Sequence, residues 1–208
     1  TGSTTPSFAT ADAALAVALG DGLPGAVVTH KGGVNYALNR SGRPRGPNTN
    51  PVTAALRELG LWGTGSRTKF VPECYLRNAT DVRLGVLQGL LDTDGGPVTQ
   101  LGRTCRVQYC TTSPRLRDDI LFLVRSLGGV ARWRTRAAEG RTPGRANGRP
   151  VPYRADAHVL DLRLPAGLAP FRLARKAERY DVAGGGRPMR YVTSIDPDGA
   201  EECVCISV

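Results

Sequence analysis

Two carboxylates, Asp92 and Asp94, follow a run of apolar residues, and they are the side chains best suited to bind a divalent cation. The run over residues 80–91 predicts a helix that begins at a Thr80 cap. Because a helix C-terminus carries partial negative charge, carboxylates there repel it, and a bound cation would relieve that repulsion. Mg²⁺ takes one or two carboxylates together with phosphate oxygens and water. A polar turn after a core helix remains the alternative interpretation of Asp-Thr-Asp-Gly.

Gly85 and Gly89 lie four residues apart on the same predicted helix. Small residues at this spacing allow the backbones of two helices to approach closely. We therefore expect a second helix to pack against this one.

An internal repeat indicates how the rest of the chain positions the helix. Residues 7–15 resemble residues 108–116: each has an aromatic–small–Thr strand end, a capping residue and then an amphipathic helix. Two strands and another helix follow in both copies. They are expected at residues 27–30, 34–38 and 52–61, and again at residues 130–135, 159–164 and 171–180. The repeat predicts a duplicated α/β domain with pseudo-twofold symmetry.

Residues 87–95 read Leu-Gln-Gly-Leu-Leu-Asp-Thr-Asp-Gly, which resembles the signature of the LAGLIDADG homing endonucleases and differs from it mainly at Gln88, Leu91 and Thr93. In that family two such helices pack side by side at the centre of a duplicated αββαββα fold, and the last Asp of each helix holds the catalytic metal ions. The resemblance implies that Asp94 is a metal ligand and that Mg²⁺, or Mn²⁺, is the cofactor. It also implies metal-dependent hydrolysis of phosphodiester bonds in both strands of duplex DNA.

A second block, residues 68–72, reads Thr-Lys-Phe-Val-Pro and is similar to the Lys-x-Ile-Pro block that precedes the second motif in that family. The resemblance implies that Lys69 stabilises charge at the scissile phosphate or perturbs the attacking water. Arg190 occupies the corresponding place in the second copy.

The formal net charge is +10, and only three of the 28 basic residues are lysines, at positions 31, 69 and 176. Such an excess suits a polyanionic partner, although an arginine-rich composition is also typical of a GC-rich genome. Five arginines alternate on the predicted strands of the second copy, where the family's sheets lie along the DNA major groove. They are Arg103, Arg106, Arg132, Arg134 and Arg136. A solvated sheet face is the alternative interpretation of this pattern.

The alternation of residues 191–195 and 202–208 predicts a β-hairpin. The tail of the chain, over residues 186–192 and 201–208, resembles the passage from the endonuclease into the splicing (Hint) domain of inteins. Residues 56–63 and 170–177 look closest to inteins of replicative DNA helicases of actinobacteria or their phages. The chain is accordingly divided into three parts. These are a first endonuclease half (1–76), a second half with its motif helix at 80–95 (77–183), and the start of a splicing-domain segment (187–208).

The first motif helix of a complete enzyme is the part that the sequence does not supply. Asp21 fits a degenerate first motif and is the alternative second metal ligand, but the repeat aligns it with the end of a helix that follows the first strand. The repeat predicts that the first motif precedes Thr1. The terminal blocks needed for splicing are not recognised either. We expect either that the sequence is a fragment or that another chain supplies these parts, and that the chain by itself neither splices nor cuts well.

Several other classes of protein are disfavoured. Five cysteines without a Cys-x-x-Cys pair, together with two histidines, argue against a zinc site. No apolar run approaches the length of a membrane span, and no signal pattern opens the sequence, so a bacterial or phage-infected cytoplasm is expected. Two alternatives to an active endonuclease remain. One is a cleavage-defective, sequence-specific DNA-binding module, either a decayed endonuclease or a regulator, and the other is an RNA maturase.

Overall fold

The computed structural model describes residues 5–42, 50–100, 103–146, 148–180, 191–200 and 202. Within each copy a strand, a helix, two strands that pair with each other and a helix follow one another as the repeat predicts. In chain order the elements are β1 (Ser7–Ala9), α1 (Ala13–Gly22), β2 (Ala26–Gly32), β3 (Asn35–Arg40), α2 (Pro51–Glu58), α3 (Glu73–Leu76), α4 (Thr80–Asp94), β4 (Gly95–Gln100), β5 (Arg103–Thr111), α5 (Pro114–Ser126), β6 (Val130–Arg136), β7 (Gly144–Ala146), β8 (Arg149–Val151), β9 (Ala157–Arg163) and α6 (Ala174–Ala177).

Two antiparallel sheets repeat the same strand order. The first is β1-β3-β2, and the second is β4-β5-β9-β6, in which β5, β9 and β6 stand where β1, β3 and β2 stand in the first. The predicted α/β class and the internal duplication are therefore confirmed. The second copy also has α4 and β4 before its repeated part. Because β4 pairs with β5, the described part of the first copy leaves the equivalent strand, β1, at the edge of its sheet.

The residues at the two ends of α5 adopt the capping conformations typical of their types. The hydroxyl of Ser113 accepts a hydrogen bond from the Leu116 N–H, Pro114 is the first helical residue, and Gly128 follows the C-cap with a φ of 78°. The prediction of a Thr80 cap for α4 was wrong. The N-cap is Ala79, which makes no side-chain cap bond, and Thr80 is already helical.

The core lies between the second sheet and the helices α4 and α5. Its fully buried side chains include Leu87, Leu91, Ile120, Leu123, Leu160 and Leu162. The first copy is less well covered among its described residues: Ala16, Ala37 and Leu38 are buried, but Val17 on α1 is 63% exposed.

Three predicted elements differ from the observed ones. The helix expected over residues 171–180 is reduced to α6; the N–H groups of Arg172 and of Leu173, the N-cap of α6, donate to the carboxylate of Asp92. The helix expected over residues 52–61 ends with α2 at Glu58, before Gly60 at a φ of 70°. Between β6 and β9, where the sequence analysis placed no element between its two predicted strands, lies the β7–β8 hairpin.

The predicted C-terminal hairpin was wrong over residues 191–200, which contain no strand. Tyr191, Val192 and Ile195 are at least 72% exposed, so this segment has no buried apolar face to favour an extended strand. The second arm of that hairpin, beyond residue 202, lies outside the described residues. In the part of the chain that the structure describes, no helix has the length and apolar character needed to span a membrane.

Candidate active site at the end of helix α4

Asp94 is the last residue of α4 and is exposed, and β4 begins at the next residue. Within the described residues its carboxylate makes no hydrogen bond or ion pair. The abrupt change from helix to strand requires a glycine at position 95. A Cβ on Gly95 would lie 2.8 Å from Leu91 Cδ2 and 2.9 Å from the Leu91 carbonyl oxygen. The glycine of the motif is thus explained by the close approach of the chain to the last turn of the helix.

The end of α4 is neutralised by Lys176, a buried residue that lies far away in the sequence. Its Nζ donates to the main-chain carbonyl oxygens of Leu91, Asp92 and Gly95 at 2.9, 2.6 and 2.6 Å. Burial lowers the pKa of this amine, and Arg175 adds to that effect, whereas the nearby carboxylates oppose it. The chain therefore provides its own cation at a helix end that we expected only a metal ion to stabilise. The sequence offered no signal for this contact beyond the rarity of lysine.

Asp92 has a structural role. It is 4% exposed, and its two carboxylate oxygens accept hydrogen bonds from the main-chain N–H groups of Arg172 and Leu173 at 3.1 and 3.3 Å. Gln88, one turn earlier, donates to the Ala169 carbonyl at 2.8 Å and accepts from Arg172 Nε at 2.7 Å. These contacts fix the last two turns of α4 against residues 169–176. Of the two carboxylates, only Asp94 faces solvent.

Tyr109 lies opposite Gly95 in the β4–β5 pair and is 3% exposed. Burial raises the pKa of its phenol well above the ordinary value, and the negative charge of Asp94 contributes to this shift. Tyr109 is therefore neutral at physiological pH and adds no charge near Asp94.

The segment that carries Lys69 is attached to the start of α5. The Lys69 carbonyl accepts a hydrogen bond from Ser113 Oγ at 2.6 Å, and the Val71 N–H donates to Asp119 Oδ2 at 2.7 Å. Burial raises the pKa of Asp119, partly offset by the hydrogen bond from Val71. Ser113 follows the end of β5 that pairs with the start of β4, so Lys69 and Asp94 lie towards the same end of the sheet. The Lys69 side chain is exposed, and no contact between described atoms joins it to Asp94.

The other predicted catalytic residues do not join Asp94 in the described structure. Asp21 is exposed in the last turn of α1, as the repeat predicts for a residue at a helix end. Arg190 lies outside the described residues. Among the residues that the structure covers, no three His, Cys, Asp or Glu side chains come together as a metal site would require.

The two copies contact each other at the N-termini of α1 and α5. Asp12 caps α1 by accepting from the Ala14 N–H, and its carboxylate also accepts from Arg175 Nε at 2.6 Å, which lowers the pKa of Asp12. Ser113, the equivalent cap of α5, donates to the Lys69 carbonyl. Each cap therefore contacts a residue of the other half.

Four of the five predicted arginines can be placed on the sheet. Arg132, Arg134 and Arg136 alternate along β6 and are exposed, and Arg106 on β5 is half-buried on the same face, away from α4 and α5. Arg103 begins β5, but its side chain lies outside the described part of the structure.

Asp161 of β9 lies at the centre of this basic face, and the sequence analysis missed it. Its carboxylate contacts Arg134 Nη1 at 2.6 Å, Gln108 Nε2 at 3.0 Å and Arg106 Nε at 3.1 Å. Strand alternation on β9 could have placed an acid on this face, but the partners depend on the register of three strands.

The segment between β6 and β9, which includes the β7–β8 hairpin, carries further arginines. The guanidinium of Arg141 lies 3.6 Å from the ring centroid of Tyr153, which places a cation on an aromatic face. Three further arginines of this segment are exposed: Arg145, Arg149 and Arg154.

Comparison with known proteins gives one related sequence and several weakly similar solved structures. No family model matches the chain. The chain is 32% identical over 161 residues to the replicative DNA helicase DnaB of Mycobacterium intracellulare, in an alignment that covers 76% of this chain and 25% of the helicase. The chain thus spans about a quarter of the length of that relative. This match is to a helicase of the kind that the sequence resemblance predicted.

One of these structures is that of I-DmoI G20S in complex with its target DNA in the presence of magnesium. The two share 14% sequence identity with a TM-score of 0.38, over 76% of this chain and 72% of the other. A likeness at that level assigns no family to the chain.

Proposed function

We propose that this chain is the endonuclease part of an intein from a replicative DNA helicase. In this proposal it is of the LAGLIDADG type and hydrolyses phosphodiester bonds in both strands of a specific duplex DNA site. The observation that carries the proposal is the exposed carboxylate of Asp94, which has no partner among the described residues and is held at the end of α4 by buried neighbours. The sequence similarity to the DnaB helicase supports the proposal that the intein comes from a replicative DNA helicase.

The surroundings of Asp94 fit a Mg²⁺ or Mn²⁺ ion. Hard divalent cations prefer carboxylate oxygens, and this carboxylate has no partner among the described residues. Asp94 would hold the ion together with phosphate oxygens of the DNA. When bound, the ion supplies activation of the attacking water and offsets charge at the phosphate.

The residues around Asp94 have separate roles in the proposed reaction. Lys176 and Asp92 keep the end of α4 in place, so that Asp94 is positioned before DNA binds. Lys69, on the segment attached to α5, would approach the scissile phosphate and reduce its negative charge. Arg190 would have the equivalent role in the second copy.

A second carboxylate is needed for cleavage of both strands. We propose that a helix and strand equivalent to α4 and β4 complete the first copy and provide it. The edge strand β1 and the exposed Val17 of α1 support this arrangement. A Cβ added to Gly89 would meet no described atom within 4 Å, which leaves room for a second helix beside α4. Asp21 remains the alternative second ligand.

The proposed DNA-binding surface is the basic face of the second sheet. Arg132, Arg134 and Arg136 project from β6, and a β-ribbon of this kind fits the width of the major groove. The β7–β8 hairpin would add contacts to phosphates.

Substitution of Asp94 tests this function. In the full-length precursor, Asp94→Ala is expected to abolish Mg²⁺-dependent plasmid cleavage and to leave duplex binding in a gel shift without Mg²⁺ nearly unchanged. Asp81→Asn is the matched control, because Asp81 is an exposed carboxylate in the first turn of the same helix. It should cut like the wild type.

Other outcomes would replace the proposal. Loss of duplex binding together with cleavage in Asp94→Ala would assign Asp94 a structural role. A wild-type precursor that binds one duplex sequence but never cuts would be the cleavage-defective binding module. Preference for structured intron RNA over duplex DNA would instead indicate a maturase.

A further inference from the structure

The basic face of the second sheet contains one acid at its centre. Strand register places Asp161 of β9 between Gln108 of β5 and Arg132 of β6. Side chains of directly paired residues lie on the same face of a sheet, so Asp161 shares its face with these two residues and with Arg106 and Arg134. The side chain of Asp161 is 23% exposed. A carboxylate at the centre of a surface that binds a polyanion weakens the attraction to phosphate, so its presence there requires a reason.

The carboxylate holds two guanidinium groups from opposite sides. Arg134, on β6, contacts Oδ2 at 2.6 Å, and Arg106, on β5, approaches Oδ1 to 3.1 Å. Gln108 donates to the same Oδ1 at 3.0 Å, which fixes the orientation of the carboxylate. Two arginines on different strands are therefore bound to one acceptor.

The two arginines are held differently. Arg134 makes a short, directed hydrogen bond and keeps 54% of its side-chain exposure, so its remaining N–H groups face solvent. Arg106 is 30% exposed, and its Nε is buried without a hydrogen bond of good geometry, although it lies within ion-pair distance of Asp161. The negative charge of Asp161 thus attracts Arg106, but the Nε–H of Arg106 makes no hydrogen bond within the described structure.

A guanidinium fixed in this way favours base edges over phosphates. Its charge is partly neutralised, which weakens its attraction to any phosphate. Its orientation is restricted, which favours a bidentate contact with the two acceptors on a guanine edge in the major groove.

We propose that Asp161 is a specificity-determining residue: it holds Arg134 and Arg106 in position to read guanine edges and keeps them from binding phosphates of any sequence. The inference rests on the proposed function, because it requires this face to contact duplex DNA.

The test uses the full-length precursor with two DNA probes. The first is a library of randomised duplexes, from which bound sequences are selected and read. The second is a single mixed-sequence duplex, whose binding constant is measured at several salt concentrations. Asp161→Asn is the main variant, since Asn retains an oxygen acceptor for Gln108 but loses the charge. Asp118→Asn is the matched control: Asp118 is also paired with an arginine, Arg117, but lies on α5 away from this face.

The expected result has two parts. Asp161→Asn selects duplexes with weaker guanine preference than the wild type. Its salt dependence on the mixed-sequence duplex steepens by about 0.9 in log K against log salt for each arginine that now contacts a phosphate. That change corresponds to about threefold in affinity per arginine between 50 and 200 mM salt. Asp118→Asn changes neither property.

A second variant keeps the inference testable should Asp161→Asn fold poorly. Arg134→Gln is expected to lose guanine preference at one position without a steeper salt dependence. The inference is overturned when Asp161→Asn selects the wild-type sequences with the salt dependence of Asp118→Asn, or when Arg134→Gln retains full guanine preference. A wild-type precursor that binds neither DNA probe would instead contradict the proposed function itself.

Discussion

The Nζ atom of Lys176 lies 2.6 Å from the main-chain carbonyl oxygen of Asp92, a residue 84 positions earlier in the chain. The same amine contacts the carbonyls of Leu91 and Gly95. It therefore binds the backbone on both sides of Asp94, and no described contact joins it to the Asp94 carboxylate. The position of the candidate metal ligand thus depends on a buried cation from another element.

Replacement of Lys176 by methionine should destabilise the fold. Three carbonyl oxygens would lose the Lys176 ammonium, of which that of Leu91 keeps the Gly95 N–H, and leaving a buried carbonyl without its donor costs about 2–3 kcal/mol at such a site. In a chain of this size that loss lowers the melting temperature by roughly 4–12 °C. Lys31→Met is the control, because Lys31 is an exposed residue of β2, and it should melt close to the wild type. Equal melting of the two variants in thermal scans would contradict the buried contact.

Substitution of Gly95 by alanine tests the switch from α4 to β4. The new Cβ would lie less than 3 Å from the Cα and carbonyl oxygen of Leu91, and the backbone must shift to relieve the clash. We expect a loss of about 1–3 kcal/mol in the free energy of unfolding by denaturant. Gly96→Ala is the matched control one residue later, where a Cβ meets nothing within 4 Å. If both variants unfold at the same denaturant concentration, the described turn is wrong.

Lys69 should contribute to cleavage and not to folding. Its side chain is exposed, and only its carbonyl takes part in a described hydrogen bond. In the full-length precursor, Lys69→Met is expected to reduce the single-turnover cleavage rate by about 100-fold, as loss of one electrostatic group at a transition state commonly does. Arg67→Gln removes a charge from the same exposed segment and should cut nearly normally. Equal loss in both variants would indicate a general charge effect.

His158 should make stability depend on pH. Burial lowers the pKa of its imidazole, Arg117 lowers it further, and Asp118 and Asp156 oppose the shift. The folded protein then binds fewer protons than the unfolded chain at pH values between the lowered pKa and the ordinary value of 6.5. The contribution of His158 to stability is therefore fully present above pH 6.5 and is lost as pH falls through the folded-state pKa.

NMR titration and unfolding measurements check this dependence. The chain has two histidines, so the resonances of His158 and His30 can be followed separately. His158 should titrate below pH 6.5, and His158→Gln should flatten the fall in unfolding free energy on acidification. A His158 resonance that titrates above pH 6.5 would refute the prediction.

Features that depend on neighbouring residues could be predicted from the sequence. The ends of α5 follow from Ser113, Pro114 and Gly128, because caps act within one turn of the helix. The duplication was visible because each copy repeats its own strand–helix signals, and the strand order then follows in both sheets.

The features that sequence could not supply join residues far apart. Asp92 was grouped with Asp94 as a carboxylate whose charge at the helix end a cation would relieve, but its oxygens accept from main-chain N–H groups 80 and 81 residues later. These bonds lie immediately before α6, which is shorter than the helix predicted over residues 171–180. Asp161 was missed because its importance comes from side chains on two other strands.

The contacts at the two helix caps have a consequence for how the molecule can be divided. Ser113 is fully buried and donates to the Lys69 carbonyl, and Asp12 binds Arg175, so each repeat contacts the residue that caps α1 or α5 of the other repeat. A chimaera that exchanges residues 1–76 for those of a relative would keep a carbonyl at position 69, but it would need an acid at position 12 to retain the bond to Arg175. Either repeat expressed alone would expose the start of its own helix. The two repeats are therefore best exchanged as a pair, together with the contacting residues Asp12, Lys69, Ser113 and Arg175.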